Sequence, residues 1–92
     1  MPEGRIELRV RGLVQGVGFR WFVCEIARRS GLSGWVRNRA DGTVEVAADG
    51  DDSSIDMLRA RLAKGPPGAV VNAIEDAGPV SDPLASPFTI AR

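Results

Sequence analysis

The sequence predicts an α+β fold whose elements follow the order βαββαβ. Residues 5–11 and 43–48 alternate between apolar and polar side chains, which is typical of strands with one buried face. Two further segments repeat apolar residues at intervals of three and four, which is typical of amphipathic helices. These two kinds of periodicity occur in separate segments, so the elements can be assigned in turn.

The first half of the chain predicts strand, helix, strand and strand. Residues 5–11 form the first strand, and an apolar helical stripe follows it: Phe19, Phe22, Val23, Ile26 and Ala27. Gly31 suits the end of that helix. Residues 34–38 predict the second strand, which the hairpin signal Asp41-Gly42 joins to a third strand over 43–48.

The second half predicts a helix and the remaining strands. Residues 49–52 predict a polar turn, and Ser53 followed by Asp56 forms a capping-box pattern that predicts the helix N-cap at Ser53. The inner face of this helix is apolar: Ile55, Leu58 and Leu62. Gly65-Pro66-Pro67-Gly68 ends it.

Beyond that stop, residues 69–75 predict a strand that could contain a bulge. Residues 76–87 carry three prolines and predict a loop, and residues 88–90 could pair as a short fifth strand. The whole order predicts a ferredoxin-like sandwich, an antiparallel sheet with two helices on one face. In this topology the first two strands run parallel with the third between them, so both end at the same edge of the sheet.

The segment Gly12-Leu13-Val14-Gln15-Gly16-Val17-Gly18-Phe19-Arg20 lies at that edge and is the first candidate site. It has three glycines in seven residues, and glycine tolerates the positive φ that lets backbone N–H groups converge. The helix N-terminus adds unpaired donors and a partial positive charge. Together with the Arg20 guanidinium, these groups predict a cradle for one phosphate-like anion. Asn38 ends the second strand at the same edge and is the second candidate.

Composition excludes several classes of function. Basic and acidic residues balance at 12 each, so net charge favours neither nucleic acid nor an anionic membrane. The chain has no histidine and one cysteine, Cys24, which removes the commonest general base, histidine metal sites and internal disulfides. The chain shows neither a secretory signal nor an apolar run of the roughly 20 residues that span a bilayer, so we expect it in the cytoplasm.

Other uses of this fold fit poorly. RNA-recognition domains place stacking aromatics on their central strands, and residues 5–11 and 43–48 contain none. Metal-carrying relatives need a cysteine pair in the first loop, which is absent. We therefore expect neither RNA recognition nor a metal bound in the first loop.

Two blocks carry a specific resemblance. Residues 10–20, VRGLVQGVGFR, resemble the acylphosphatase signature V-x-G-x-V-Q-G-V-x-F-R, in which Gly18 occupies a variable position. Residues 34–45, GWVRNRADGTVE, resemble the second block of that family, G-W-V-x-N-x-x-D-G-x-V-E. Residues 65–69 and 88–90 are also similar, so the resemblance covers nearly the whole chain as one domain, 1–92.

The resemblance implies hydrolysis of small acyl phosphates to a carboxylate and inorganic phosphate, without a metal or a covalent intermediate. It implies that Arg20 binds the phosphate and that Asn38 orients the attacking water. Backbone N–H groups of the loop would share the phosphate: those of Gln15, Gly16, Val17, Gly18, Phe19 and Arg20. The composition agrees, because a carboxylate whose conjugate acid has a pKa of about 4 leaves without a proton and needs no general acid.

Alternatives remain at this point. The substrate could be carbamoyl phosphate, and a similar domain begins the large hydrogenase-maturation proteins. A phosphate-binding regulatory module without turnover is the alternative from another class. We expect a monomer, with Cys24 as a small, partly buried helix residue and Trp35 in a packing role. Arg37 and Arg39 flank Asn38 and could add positive field for an anionic substrate, but we expect them to be solvated side chains. Trp21 could shield the site or the sheet edge.

Overall fold

The sheet and helices follow the predicted order. A computed structural model describes residues 3–77, 84 and 86–91. Its elements are β1 (Glu3–Leu13), α1 (Phe19–Arg29), β2 (Ser33–Asn38), β3 (Val44–Asp51), α2 (Asp52–Lys64), β4 (Val70–Asp76) and β5 (Thr89–Ile90). The five strands lie in the order β4-β1-β3-β2-β5. Four pair antiparallel, and the short β5 joins β2 in parallel, so the sheet is mixed.

The strand register brings the two candidate segments together. Val10 of β1 and Asn38 of β2 both pair with Val44 at the start of β3, one from each side. The glycine-rich loop that follows β1 therefore begins at the edge where β2 ends. This confirms the predicted meeting of the loop and Asn38 at one end of the sheet.

The core lies between the helices and one face of the sheet. The inward side chains of the strands are almost fully buried, as are those of both helices: Leu8, Val10, Val36, Val44, Val46, Phe19, Val23, Ala27, Leu58 and Leu62. Burial of one such valine, leucine or phenylalanine side chain contributes about 1.5–3 kcal/mol. Phe88 also enters this core, which fixes the chain just before β5.

β1 and β4 contain the irregularity that the sequence allowed. Their register shifts between Arg11 and Gly12, so Asn72 is an extra residue in β4. Gly12 has a φ of 136°, and a Cβ there would collide with the Val70 carbonyl oxygen. Glycine is therefore required for the close approach of the two strands just before the candidate loop.

The start of the second helix differs from the prediction. The N-cap is Asp51, whose Oδ1 accepts hydrogen bonds from the Ser54 N–H at 2.8 Å and the Ser53 hydroxyl at 2.9 Å. Ser53 is inside the helix, so the predicted cap at that position is wrong. The predicted turn over 49–52 is also wrong, because residues 49–51 continue β3 in register with β1.

The remaining predictions in the second half have mixed outcomes. Pairing of Thr89 and Ile90 with β2 confirms a fifth strand, although Phe88 precedes it. Asp76, predicted as loop, is the last residue of β4, and residues 78–83 and 85 of that predicted loop lie outside the described residues. Neither of the helices in the described part of the chain is long and apolar enough to cross a membrane.

Candidate active site

A cavity of about 260 Å³ opens at the edge where the loop and β2 meet. It is lined by Val14, Gly16, Gly18, Phe19, Arg20, Trp21, Asn38 and Ile90. Both predicted catalytic residues therefore face one cavity with the glycine loop. Gln15 and Val17 alternate with the glycines but are not among the lining residues, and Val17 packs against the core.

The loop backbone has the geometry of an anion-binding concavity. Gly16 and Gly18 have positive φ values of 78° and 79°, whereas no non-glycine residue in the described ranges has one. The backbone thus alternates between left-handed and ordinary conformations, which makes successive N–H groups converge. A Cβ at Gly16 or Gly18 would touch nothing within 4 Å, so glycine is needed here for conformation and not for space. Gly18 therefore has a specific conformational role, which its variable place in the signature did not suggest.

The first turn of α1 leaves its donors available. Gly18 is the N-cap and has no side chain to accept from the helix, and the first turn carries no acidic residue. The first intrahelical bond runs from the Phe22 N–H to the Gly18 carbonyl at 3.0 Å. N–H groups that precede this bond have no acceptor within the helix and carry its partial positive charge.

Arg20 adds a full positive charge to this helix start. Its side chain is exposed and makes no ion pair or hydrogen bond with any residue in the described ranges. A cation in the first turn of a helix opposes the helix dipole, so the arrangement is unfavourable until an anion binds. The guanidinium fork suits a phosphate, which it can bind with two parallel hydrogen bonds.

Asn38 presents an amide for which the described part of the chain supplies no hydrogen-bond partner. It is half-buried at the end of β2, and its Oδ1 is buried without a hydrogen-bond donor among the described residues. An unsatisfied buried polar atom costs about 1–3 kcal/mol unless another molecule supplies the bond. A small hydrogen-bonding molecule in the cavity, such as water, would satisfy it.

The Gln15 side chain has a role that was not predicted from the sequence, separate from the one predicted for its backbone N–H. Its side-chain Nε2 donates to the Arg39 carbonyl at 2.8 Å and to the Thr43 carbonyl at 2.9 Å. The loop is thereby fastened to the hairpin between β2 and β3, one residue beyond Asn38. The only sequence signal was a polar amide side chain between the core residue Val14 and Gly16.

Comparisons with known proteins now bear directly on this site. The family model named Acylphosphatase matches residues 6–90. The chain belongs to the acylphosphatase family. This confirms the resemblance found in the two sequence blocks, and the activity that membership implies is acyl phosphate hydrolysis.

Individual members of the acylphosphatase family are similar over most of the chain. A protein named Acylphosphatase from Synechococcus sp. (strain RCC307) is 49% identical over 75 residues, 82% of this chain and 64% of that protein. The chain thus spans less than two thirds of that relative's length. One from Bifidobacterium longum is 44% identical, covering 96% of this chain and 92% of the relative. The crystal structure of acylphosphatase from Bacillus subtilis superposes with a TM-score of 0.87 at 35% identity, covering 96% and 98% of the two chains.

A buried carboxylate holds the residues on either side of Asn38. Glu45 is only 2% exposed, and its Oε1 accepts from Arg37 Nε at 2.8 Å and from an Arg39 terminal nitrogen at 3.1 Å. Arg9 approaches the other carboxylate oxygen to 3.9 Å. Burial by itself would raise the pKa of Glu45, but the hydrogen bonds outweigh it and the pKa is lowered. Arg37 and Arg39 remain about a third exposed, as expected of solvated side chains, but their pairing with this carboxylate was not predicted.

Other side chains behave as their sequence context indicated. Cys24 is buried, with Sγ 3.5 Å from the Phe88 carbonyl oxygen. Trp35 is buried beneath the Arg37 guanidinium, whose carbon lies 4.4 Å from the centre of a tryptophan ring. Within the described part of the chain, no three His, Cys, Asp or Glu side chains come together as potential metal ligands.

Proposed function

We propose that this chain hydrolyses small acyl phosphates to a carboxylate and inorganic phosphate. The observation that carries the proposal is the meeting at a single cavity of the Arg20 guanidinium and the Asn38 amide, neither of which has a partner among the described residues. Family membership supports the reaction type, and the arrangement of the cavity supports the assignment of roles.

The phosphoryl group is held by the loop and by Arg20. Backbone N–H groups of residues 15–20 and the guanidinium bind its three outer oxygens, and the positive end of α1 adds to their field. Fixed donors of this kind stabilise a transferring phosphoryl group because they need no reorganisation during the reaction.

Asn38 orients the attacking water. The water oxygen forms a bond to phosphorus while the bond between phosphorus and the acyl oxygen breaks, and the electron pair leaves with the carboxylate. One water proton stays on the attacking oxygen, and the other passes to a phosphoryl oxygen. An acyl phosphate dianion and water thereby give a carboxylate and dihydrogen phosphate, so no protein group has to gain or lose a proton. The absence of histidine from the sequence is compatible with this route.

The roles are tested by two variants, each with a matched control. Hydrolysis of benzoyl phosphate is measured in the presence of a chelator for the wild type, Arg20→Ala and Asn38→Ala. Removal of one fixed transition-state donor lowers kcat by about 10²–10³-fold. Arg61→Ala on α2 and Asn72→Ala on β4 remove an exposed guanidinium and an exposed amide that do not line this cavity, and both should keep wild-type kcat.

Calorimetric titration with inorganic phosphate separates the two roles. We expect Asn38→Ala to bind phosphate and Arg20→Ala to lose binding. Normal turnover in both variants would refute the mechanism, and the reverse binding pattern would exchange the roles. Phosphate binding by the wild type without turnover of benzoyl, acetyl or carbamoyl phosphate would favour the regulatory module instead.

The proposal also covers the oligomeric state, the location and the cofactor requirement of the protein. We propose a monomeric, single-domain enzyme of the cytoplasm that requires neither metal nor cofactor. Loss of activity in the presence of the chelator would contradict the claim that no metal is required. Sedimentation that shows a dimer would contradict the claim that the enzyme is a monomer.

A further inference from the structure

A second, larger cavity adjoins the one that Arg20 and Asn38 line. It has a volume of about 410 Å³ and runs between α1 and the terminal strand β5. Trp21 and Ile90 line both cavities, so these two side chains form the boundary between them. The larger cavity is called the α1/β5 groove below, and its walls also include Cys24, Thr89, Arg28 and Glu25.

The boundary consists of large apolar side chains that are left in contact with solvent. Trp21 is 65% exposed and Ile90 is 38% exposed. Single exposed apolar residues are ordinary on protein surfaces. Here two of them, one from a helix and one from a distant strand, meet beside a cavity whose other side holds Arg20 and the glycine loop.

The groove is rigid where β5 forms its wall. Thr89 and Ile90 pair with β2, and the Ala91 N–H donates to the Val36 carbonyl at 2.8 Å. On the other side, Arg28 Nε donates to the Phe88 carbonyl at 2.7 Å. These bonds fix α1 and β5 relative to each other, so the groove is largely formed before any ligand binds, as small-molecule sites usually are.

The charged side chains of the groove are held by protein partners. Arg28 Nε donates to the Phe88 carbonyl, and Arg29 lies 3.6 Å from Glu25 one helical turn away. The surface shared with the first cavity is formed by two apolar side chains, and a planar apolar group in the groove would cover Trp21 and Ile90.

We propose that the α1/β5 groove is the acyl subsite and that Trp21 is its main specificity-determining residue, selecting acyl phosphates with an aromatic or bulky apolar acyl group. This rests on the proposed function, because it assumes that the phosphoryl group lies in the glycine loop. The acyl group would then extend from the cavity that Arg20 and Asn38 line, past Trp21 and Ile90, into the α1/β5 groove.

The test compares two substrates that differ only in their acyl group. We measure kcat/KM for benzoyl phosphate and acetyl phosphate with the wild type, Trp21→Ala, Trp21→Phe and Met57→Ala. Trp21→Ala should lower kcat/KM for benzoyl phosphate about tenfold and leave acetyl phosphate within about twofold. Trp21→Phe should keep most of the preference. Met57 is an exposed apolar residue that borders neither cavity, so Met57→Ala should change neither substrate.

A binding measurement separates failure of this inference from failure of the proposed function. The non-hydrolysable analogues benzoylphosphonate and acetylphosphonate are titrated calorimetrically into the wild type and Trp21→Ala. Tighter binding of the benzoyl analogue that disappears in Trp21→Ala supports the subsite even if neither acyl phosphate is hydrolysed. If both substrates are hydrolysed and Trp21→Ala changes them by the same factor, or changes neither, the subsite is wrong and the proposed function stands.

Discussion

The tether formed by Gln15 predicts that loop and hairpin are coupled in both stability and catalysis. Gln15→Met keeps the length of the side chain and removes both donated hydrogen bonds, to the carbonyls of Arg39 and Thr43. Neither carbonyl loses its last donor, because the Gly42 N–H still reaches the Arg39 carbonyl at 3.2 Å and the Arg39 N–H still reaches the Thr43 carbonyl at 2.8 Å. The substitution therefore measures the tether without stranding a buried carbonyl.

The expected size follows from the two bonds. A typical intramolecular hydrogen bond contributes about 0.5–1.5 kcal/mol, so the free energy of unfolding should fall by about 1–3 kcal/mol. Asn38 directly precedes Arg39, so loss of the tether would also let the Asn38 amide, which we propose orients the water, shift relative to the glycine-rich loop. Misplacement by about 1 Å can lower turnover about 10²-fold, and we expect kcat to fall at least tenfold while phosphate affinity changes less.

Urea unfolding and steady-state hydrolysis of benzoyl phosphate measure these two effects. Asn72→Leu is the control, because it replaces an exposed amide whose side chain bonds to no residue in the described ranges. Wild-type stability and kcat in Gln15→Met would refute the reasoning. Equal losses in Asn72→Leu would show that the effect does not depend on the tether.

Two further perturbations test the loop backbone and the acidic groups. Gly18→Ala and the control Gly68→Ala both place a Cβ at positive φ in open space, so each should destabilise the fold by about 1–2 kcal/mol, and only Gly18→Ala should lower kcat/KM. Hydrogen bonds lower the pKa of two carboxyl groups in the folded state. For Asp41 the main contribution is the hydrogen bond from the Thr43 side chain, and for Asp51 it is the hydrogen bond from the Ser54 backbone N–H. The unfolded state then binds more protons, so stability is full above pH about 4 and is lost as pH falls through the lowered pKa values. Urea unfolding between pH 6 and 2.5 should show this decline, smaller in Asp51→Asn; a gain in stability on acidification would contradict the argument.

The fold could be predicted from the sequence wherever the apolar residues of a segment followed one clear periodicity. Alternation in residues 5–11 and the apolar stripe beginning at Phe19 each had one physical explanation, and both elements are confirmed. At the start of α2 the capping box predicted Ser53 as the N-cap, two residues after the actual cap, Asp51. Asp51 caps the helix because β3 continues to that residue through long-range pairing with β1, and no local pattern reveals such pairing.

The site was predictable to the level of topology. A loop after β1 and a residue at the end of β2 must meet in this fold, and Arg20 and Asn38 do line one cavity. Whether the Gln15 side chain bonds to the hairpin, or whether Arg37 and Arg39 turn toward Glu45, depends on side-chain directions that period and spacing do not specify. Alternation alone did place Arg9, Glu45 and Arg37 on one face of the sheet, which was the signal available for that cluster.

The distribution of polar partners helps to explain why the cavity is suited to chemistry. Two side-chain amides lie near the edge of the sheet: that of Gln15 is occupied by two carbonyls, and that of Asn38 has no described partner. Similarly, Arg9 and Arg37 on the sheet face Glu45, whereas Arg20 faces none of the described carboxylates. Partnered groups stabilise the fold, and the unpartnered ones lower its stability until a ligand supplies the missing contacts. Under the proposed function, a phosphoryl group for Arg20 and a water molecule for Asn38 would supply both contacts at once.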